Sequence, residues 1–497
     1  MKNMNRLIML FTALLLAATG FAAAQEKGEL DLRPIESSPE PLGELHPQLS
    51  WMKEEKVRVI WMGANLYDRF GDGDKTVGQV LVESGFNLAV ISMGVNSDNN
   101  PSGFVAPDGP AEHDRTRSAS LETRLAANVE AAREAGISLM ISWQYGTHNL
   151  EPYRKWRNPA GKEARITPCP LDEEYIKGQH IGKWADAIVR GGADGMLLDM
   201  EMYHSDTHWP DGYCTCDACF KRYLKEYAGE PEAVYAAVAP EDRGKWLADH
   251  GAVHHYTAFK GKRLEALYDS IRARAHAVNP AFFFGVAPQL SHFYPVSPGV
   301  ERGLGTSQVP CLIFSEHEYS TGPYAGTLRQ TYSIRKTLPA LFLSGAFVAV
   351  QSPEMMAGHA LTSSLYSDGW FAWYGNALVQ NVGAGEEKKI LPYPYGRRGN
   401  SSAGDYLDRI AESHRRVEAL LAGPPEDWPA WRDGKLSYLT EQLIRADGAA
   451  VAARSDETVN ALKDARESLE RYYEYCDQVI IVPYWNLESH VSQVDCQ

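Results

Sequence analysis

Two acidic residues, Asp199 and Glu201, stand two positions apart at the end of a largely apolar run at 195–203. If the run is a β-strand, alternation places both carboxylates on one face and the apolar Leu198 and Met200 on the other. Repulsion between neighbouring carboxylates raises the pKa of one of them, so that one group acts as an acid while the other stays ionised. The pattern therefore predicts acid–base catalysis, and the alternative is an ion pair with a basic neighbour.

A second acidic pair, Glu316 and Glu318, ends the run at 311–318. The same alternation predicts that these two residues share a face with Leu312 and Phe314. Catalysis is one interpretation of this pair. A position at the rim of a pocket, or an ion pair with arginine, is an equally good one.

Aromatic residues are frequent at the same predicted strand ends. Ring faces stack on sugar rings, while carboxylates and amides bind hydroxyl groups, so the combination predicts a carbohydrate site. We expect Trp143 and one of Trp370 and Trp373 to line it. The full set of predicted substrate-binding residues is Trp143, Tyr145, Tyr203, His204, Trp370 and Trp373.

The chain has 7 cysteines, and three of them form a CxCxxC segment, Cys214, Cys216 and Cys219. Together with Cys169 they could supply a zinc site of four thiolates. A disulfide that closes an enlarged loop, which export would favour, and free thiols near the pocket are the alternatives. In the first two cases the role is structural, because four thiolates leave a zinc ion no open position for substrate.

Histidines are a further source of metal ligands, but no HExxH or HxH pattern is present, so packing or solvated roles are favoured over a catalytic metal centre. The histidines considered are His204, His208, His254, His255 and His317.

The elements that must position these side chains alternate between short apolar strands and amphipathic helices. Eight such units predict an α/β fold, a closed (β/α)₈ TIM barrel at 57–380, with active-site residues at the carboxyl ends of its strands. An open doubly wound sheet is the competing fold, disfavoured because no glycine-rich loop follows the first strand. A helical accessory region is expected at 381–497. The predicted strands are 57–65, 87–93, 138–143, 195–203, 281–287, 311–318, 341–350 and 369–374.

The N-terminal residues 1–24 have the pattern of a secretory signal peptide, in which Lys2 and Arg6 precede a short apolar run and small residues follow at 22–24. A retained anchor is the alternative, but the run is shorter than the ~20 residues of a membrane span. The pattern predicts an exported protein, periplasmic or extracellular, without membrane attachment after cleavage. A leader at 25–56 rich in Pro and Glu would follow.

Composition limits the class of partner. The chain carries 49 basic and 64 acidic residues, a net charge of −15, which argues against a nucleic-acid partner. Its 44% hydrophobic and 23% charged residues are typical of a globular protein.

The run from Asp194 to Glu201 resembles the DGxDxDxE signature of family 18 chitinases and endo-N-acetylglucosaminidases, with Leu197 in place of the middle Asp. The resemblance implies that Glu201 is the general acid and that Asp199 orients the acetamido group of the substrate. A second resemblance spans about 57–380. Cys169-Pro170, the strand that ends at Glu201 and the CxCxxC segment are similar to a group of bacterial glycoside hydrolase-like barrels.

The leading hypothesis is an exported glycoside hydrolase that needs no cofactor for catalysis and whose partner is a carbohydrate substrate. Glu201 would be the general acid/base and Asp199 its partner. If Asp199 were the nucleophile, Glu316 or Glu318 would be the acid, as in α-galactosidase-like barrels. A non-catalytic carbohydrate-binding barrel and a metal-dependent hydrolase are the alternative functions.

Overall fold

A computed structural model of the chain describes residues 35, 41–71, 73–92, 111–144, 154–179, 181–200, 214–230, 232–288, 297–316, 318–319, 334, 337–348, 351–379 and 402–422, together with isolated positions between 442 and 468. The predicted signal peptide lies outside these residues. No helix among them is long and apolar enough to cross a membrane.

Eight parallel strands close into a barrel, which confirms the predicted fold and excludes the open sheet. A separate antiparallel hairpin, β4–β5, precedes the fourth barrel strand. The order around the barrel is β1-β10-β9-β8-β7-β6-β3-β2. The strands are β1 Val57–Met62, β2 Leu88–Ser92, β3 Ser138–Gln144, β4 Lys155–Arg157, β5 Glu163–Pro168, β6 Gly195–Asp199, β7 Phe283–Ala287, β8 Cys311–Ser315, β9 Ala340–Phe347 and β10 Gly369–Trp373.

Helices surround the barrel and fill its longer connections. They are α1 Trp51–Glu54, α2 Val77–Glu83, α3 Ala111–Ala135, α4 Ile181–Arg190, α5 Asp217–Glu226, α6 Glu232–Ala237, α7 Arg243–Asp249, α8 Val253–His276, α9 Ser297–Leu304, α10 Pro353–Tyr366, α11 Asn376–Val379 and α12 Ala403–Ala422. Single-turn 3₁₀ helices span Pro47–Leu49 and Pro240–Asp242, and a π-helical turn spans Glu174–Gln179.

The barrel strands are apolar on both faces, as expected for parallel strands covered by helices. Their inward side chains fill the interior with a cluster that includes Trp61, Phe314 and Phe371. Their outward side chains pack with the helices in a second cluster, to which Met196 and Leu198 of β6 belong. The alternation along each strand therefore decides which side chains reach the mouth of the barrel.

Polar side chains placed just before three strands hold the amino-terminal end of the barrel. Asn87 accepts a hydrogen bond from the Arg58 amide, and Asp194 accepts one from the Leu139 amide, both at 2.8 Å. Asp368 accepts one from the Phe342 amide at 2.9 Å. Asp194, the first residue of the chitinase-like run, therefore has a structural contact at the end of the barrel opposite the mouth.

The connections that follow β3 and β6 together form an accessory subdomain, which consists of the hairpin β4–β5 and helices α5 to α8. Its core is a separate aromatic cluster that includes Trp156, Phe220, Tyr223 and Phe259. The sequence did not predict the hairpin.

The C-terminal helix α12 lies in the region expected to be helical, 381–497, and packs against α10. Its His414 donates from Nδ1 to the Ser84 carbonyl at 2.8 Å. Helix α12 comes close to Gly85 at this point, and Gly85 has a φ of +83°. A Cβ on Gly85 would lie 2.6 Å from His414 Nδ1. Glycine is required at this contact. The other helices predicted in the C-terminal region lie largely outside the described residues.

Candidate active site and cysteine cluster

The carboxyl end of β6 carries Asp199 on the inner face of the barrel. Leu197 lies in the interior cluster, while Met196, Leu198 and Met200 pack outward against the helices. Asp199 is 9% exposed, and in the register it neighbours Gln144 of β3 and Ala287 of β7. Glu201, predicted to be the general acid, lies outside the described residues.

The carboxyl end of β8 contributes Glu316, which is 6% exposed. Phe314 belongs to the interior cluster, so Glu316, two residues further, continues on the side of the barrel interior. The hydroxyl of Tyr319 donates a hydrogen bond to Glu316 Oε1 at 3.1 Å. A donor of this kind stabilises the ionised form of a carboxylate.

Glu318 differs from the expectation that it would share a face with Glu316. The strand ends at Ser315, and the backbone then turns, with the Tyr319 amide bonded to the Glu316 carbonyl at 3.2 Å. Alternation therefore stops before Glu318. Its carboxylate accepts a hydrogen bond from the outward-facing Ser315 hydroxyl at 2.9 Å and is fully buried. This contact places the Glu318 carboxylate beside the outward-facing side chain of Ser315.

Tyr319 lies over the end of the barrel interior. Its ring centroid is 5.8 Å from that of Phe371 and 5.6 Å from that of Phe347. A Cβ on Gly345 would come within 2.7 Å of the Tyr319 ring, so the glycine makes room for it. Tyr319 carried no predicted role, and the signal in the sequence is only that it follows Glu316 by three residues.

Trp61 and Trp373 form the aromatic floor beneath this region. Their ring centroids are 4.6 Å apart, and Trp61 donates from Nε1 to the Ser92 hydroxyl at 3.0 Å. Trp61 is buried, whereas Trp373 is only partly buried against the interior cluster. Trp373 therefore lies on the inner face of the barrel.

Trp143 and Trp370, the other two predicted tryptophans, face away from the interior. Trp143 stacks on Trp184 of α4 with centroids 4.2 Å apart. Trp370 is fully buried and donates from Nε1 to His414 Nε2 of α12 at 3.0 Å. Both belong to the outer cluster, so the expectation that they contact substrate is corrected. Each lies one residue out of phase with the inward positions of its strand.

Two exposed aromatic residues stand on the loops that follow the adjacent strands β1 and β10. Tyr67 is 40% exposed, and Tyr374 is 43% exposed with a left-handed φ of 64°. Asn376 anchors the first loop, because its Oδ1 accepts hydrogen bonds from the amides of Gly63 and Ala64. The predicted substrate contacts Tyr145, Tyr203 and His204 lie outside the described residues.

The four predicted cysteines converge in the accessory subdomain. Their sulfur atoms all lie within 4.8 Å of one another, and every one of these side chains is buried. Cys169 Sγ lies 3.4 Å from that of Cys219, 3.6 Å from that of Cys216 and 3.8 Å from that of Cys214. These separations far exceed the ~2.05 Å of a disulfide, so the disulfide alternative does not apply to the cluster.

The distances match a tetrahedral metal site. Zn–S bonds of about 2.3 Å place the sulfur atoms of a tetrahedron about 3.8 Å apart. Hydrogen bonds from the neighbouring thiols, that of Cys169 first, lower the pKa of Cys219 well below its usual range and also lower the pKa of Cys216, whereas hydrogen bonds raise the pKa of Cys169 and burial raises that of Cys214. The close spacing of the sulfur atoms means that the four cysteines could hold a metal ion.

Two side chains of α8 hold the cluster from one side. Lys260 is fully buried and its Nζ lies 3.2 Å from Cys219 Sγ. Burial lowers the pKa of Lys260, but the charge of the cysteines, Cys219 first, outweighs this effect and the pKa is raised. Tyr256 donates its hydroxyl proton to the Cys214 carbonyl at 2.7 Å. Lys260 was not predicted to be near the cluster, since it is 41 residues from Cys219 along the chain.

Among the described residues, no other group of three or more His, Cys, Asp or Glu side chains is close enough to hold a metal. His254 and His255 lie on α8, where His255 Nδ1 is 3.0 Å from the Tyr223 hydroxyl within the accessory subdomain. His204, His208 and His317 lie outside the described residues. The histidines that are described do not support a catalytic metal centre.

No protein-family model matches the chain, and no curated protein does. Among solved structures it is similar to the β-galactosidase from the psychrophilic Marinomonas ef1, with 10% identity over 82% of this chain and 68% of that one and a TM-score of 0.44. It is also similar to the α-amylase from Geobacillus thermoleovorans complexed with acarbose, with 10% identity, coverage of 74% and 79% and a TM-score of 0.36. The tandem GH20 modules of a pneumococcal exo-β-D-N-acetylglucosaminidase give 12% identity, coverage of 83% and 98% and a TM-score of 0.35. All three are glycoside hydrolases.

Proposed function

We propose that the protein is an exported glycoside hydrolase that cleaves glycosidic bonds of an oligosaccharide or polysaccharide. The observation that carries the proposal is the position of Asp199 and Glu316, which are nearly buried at the carboxyl ends of two barrel strands, beside an aromatic floor. The carboxyl ends of barrel strands are where TIM-barrel enzymes place their catalytic residues. Carboxylates next to aromatic rings provide for both glycosidic chemistry and sugar stacking.

Glu201 is proposed as the general acid/base, which protonates the oxygen of the leaving group. Asp199 precedes it by two residues and would either orient the substrate or act as the nucleophile. In both cases the transition state has oxocarbenium character, which a nearby carboxylate stabilises.

Glu316 is proposed as the carboxylate on the opposite side of the substrate. One strand, β7, separates β6 from β8. Retaining enzymes hold their two working carboxyl groups about 5–5.5 Å apart, and inverting enzymes hold them about 6.5–9.5 Å apart so that a water molecule fits between them. The anomer first released therefore decides which of the two outcomes Asp199 and Glu316 would give as the working pair.

Substrate binding is assigned to aromatic residues of the mouth and rim. Trp373 supplies a partly buried ring at the floor, while Tyr67 and Tyr374 present exposed rings on the loops above β1 and β10. The left-handed φ of Tyr374 supports this assignment, because strained backbone concentrates at functional sites.

The test is hydrolysis of a panel of glycans, followed by analysis of the products and of the anomer first released. We expect Glu201→Gln to abolish turnover while the protein still folds and binds substrate, and Glu54→Gln on the distant helix α1 to have no effect. Turnover by Glu201→Gln close to that of the native protein would reject the assigned acid. Glycan binding without any cleavage by the native protein would favour the carbohydrate-binding barrel.

The cysteine cluster is proposed to bind a structural zinc ion through Cys169, Cys214, Cys216 and Cys219. The tetrahedral spacing of the sulfur atoms supports this proposal. An open groove of about 530 Å³, lined by Cys219 and flanked by Arg154 and Arg222, offers a path of entry. A zinc ion with four thiolates has no site for substrate, so its contribution would be to the fold.

Metal analysis of the purified protein tests the zinc proposal. We expect about one zinc ion per chain, lost in Cys169→Ser and retained in Cys311→Ala, whose cysteine lies on β8 away from the cluster. Zinc-free protein with a native fold and four reactive thiols would contradict the proposal.

A further inference from the structure

A lysine is fully buried beside the four cysteines, an unusual place for a side chain that almost never leaves water without a partner. Lys260 lies on the inner face of α8, next to the buried residues Tyr256 and Phe259. Its ammonium is 3.2 Å from Cys219 Sγ. The zinc proposal needs only the cysteines, so this lysine requires an explanation of its own.

We propose that Lys260 is the positioning residue of the cysteine site, a buried counter-cation that sets the affinity for a divalent metal ion. The inference rests on the proposed zinc site. Four thiolates around a divalent ion leave two excess negative charges, and a charge in an apolar interior is costly unless a partner compensates it. The Lys260 ammonium neutralises one of these charges and donates a hydrogen bond to Cys219.

The surroundings make this compensation effective. The cluster lies in the aromatic core of the accessory subdomain, among residues such as Trp156, Phe220 and Phe259. Few solvent dipoles reach such a site, so a charge 3.2 Å away acts with little screening. Arg154 lines the groove on the exposed side of the cluster, where water screens it more strongly.

The geometry also assigns the contact to one ligand. Lys260 reaches Cys219, the first-turn cysteine of α5, from the neighbouring helix α8. Outer partners of this kind orient metal ligands, and their removal usually costs about 10- to 100-fold in metal affinity. Lys260 would in this way tie metal binding to the packing of α5 on α8.

The experiment compares zinc affinity, measured by competition with a chromogenic chelator, in the full-length protein and its variants. Lys260→Met keeps the apolar stem and removes the charge, and we expect it to weaken zinc binding about 10- to 100-fold. Lys260→Arg keeps the charge, so its zinc affinity should fall much less than that of Lys260→Met. Lys262→Met on the same helix, which removes a lysine paired with Glu265 at the surface, is the matched control and should bind as the native protein does.

Cobalt substitution gives a second readout that does not depend on hydrolysis. A tetrahedral four-thiolate site should give intense thiolate-to-cobalt absorption in the native protein. Lys260→Met should need a higher cobalt concentration than the native protein to reach the same absorption. If Lys260→Met does not fold, Lys260→Gln takes its place, and the proposal requires it to bind zinc more weakly than Lys260→Arg. Equal affinities in the charged and neutral variants would overturn the role of Lys260 while leaving the zinc site standing. No zinc or cobalt binding by the native protein would overturn both.

Discussion

The hydrogen bond between Tyr319 and Glu316 is the most specific contact that the structure adds to the candidate site at the scale of single residues. Hydrogen bonds to charged groups contribute about 1.5–3 kcal/mol, more than those between neutral groups. A tyrosine hydroxyl that donates to a buried carboxylate favours its ionised form, which is the form required of a base or a nucleophile.

The variant Tyr319→Phe removes this donor and keeps the ring. We expect kcat to fall about 10-fold or more, because the Glu316 carboxylate loses a hydrogen bond worth about 1.5–3 kcal/mol. Steady-state kinetics would measure the fall, with Tyr227→Phe in the accessory subdomain as the control. An unchanged kcat would show that the Tyr319 hydroxyl does not support catalysis.

The two tryptophans of β10 should separate substrate binding from stability. Trp373→Ala removes an inward, partly exposed ring, and we expect KM to rise about 3- to 10-fold with little loss of stability. Trp370→Phe removes the hydrogen bond to His414 and should lower stability while KM stays unchanged. Kinetics and chemical denaturation on both variants would test the assignment, and the reverse pattern would contradict it.

Helices α10 and α12 are held to the barrel by two fully buried histidines. His359 of α10 contacts the Ser344 hydroxyl at 3.0 Å and accepts from the Gln351 amide at 3.3 Å. His414 of α12 accepts from Trp370 and donates to Ser84. Burial lowers the pKa of each histidine to about 3, with the charge of Arg58 adding to the effect at His414.

The folded protein should therefore lose stability in mild acid. The unfolded chain takes up a proton at each histidine below about pH 6.5, whereas the folded chain does so only near pH 3, so stability is complete above pH 6.5 and falls as the pH drops through this window. At pH 5 each histidine should cost about 2 kcal/mol. Denaturant unfolding at pH 7 and pH 5 measures this loss.

In His414→Gln the loss of unfolding free energy between pH 7 and pH 5 should be smaller by about 2 kcal/mol than in the native protein. His254→Gln, at an exposed position, is the control and should show the same loss as the native protein. A decline of the same size in both variants would assign the acid sensitivity to other groups.

At the scale of the whole molecule, the cysteine cluster ties together connections that leave the barrel at different strands. Cys169 follows the hairpin inserted after β3, and the other three cysteines follow β6, which pairs with β3. A bound metal would therefore support the accessory subdomain.

Removal of the metal should destabilise one part of the molecule more than the rest. Zinc in about 1,000-fold excess over its Kd contributes about 4 kcal/mol to the state that binds it. After chelation we expect faster amide exchange in β4, β5 and α5 to α8, with β1, β2, β9 and β10 still protected, together with a loss of activity. Hydrogen exchange with and without chelator tests this expectation, and uniform loss of protection across the barrel would contradict it.

Much of the fold followed from the sequence alone. The eight strands were predictable because apolar runs with turn residues between them are local signals. The spacing of Asp199 from the apolar residues of β6 correctly predicted its inward face, and the spacing of the cysteines pointed to a shared site. The position of Glu201 and the export signal remain predictions from the sequence.

Only the tertiary structure decided which of several equivalent side chains face the site. Strands buried on both faces have no polar side to mark the inward direction, so Trp143 and Trp370 could not be told from Trp373. Glu318 left the predicted face because β8 ends at Ser315, before alternation reaches it. Lys260 meets Cys219 across two helices, a contact that depends on packing between elements and leaves no pattern in the sequence.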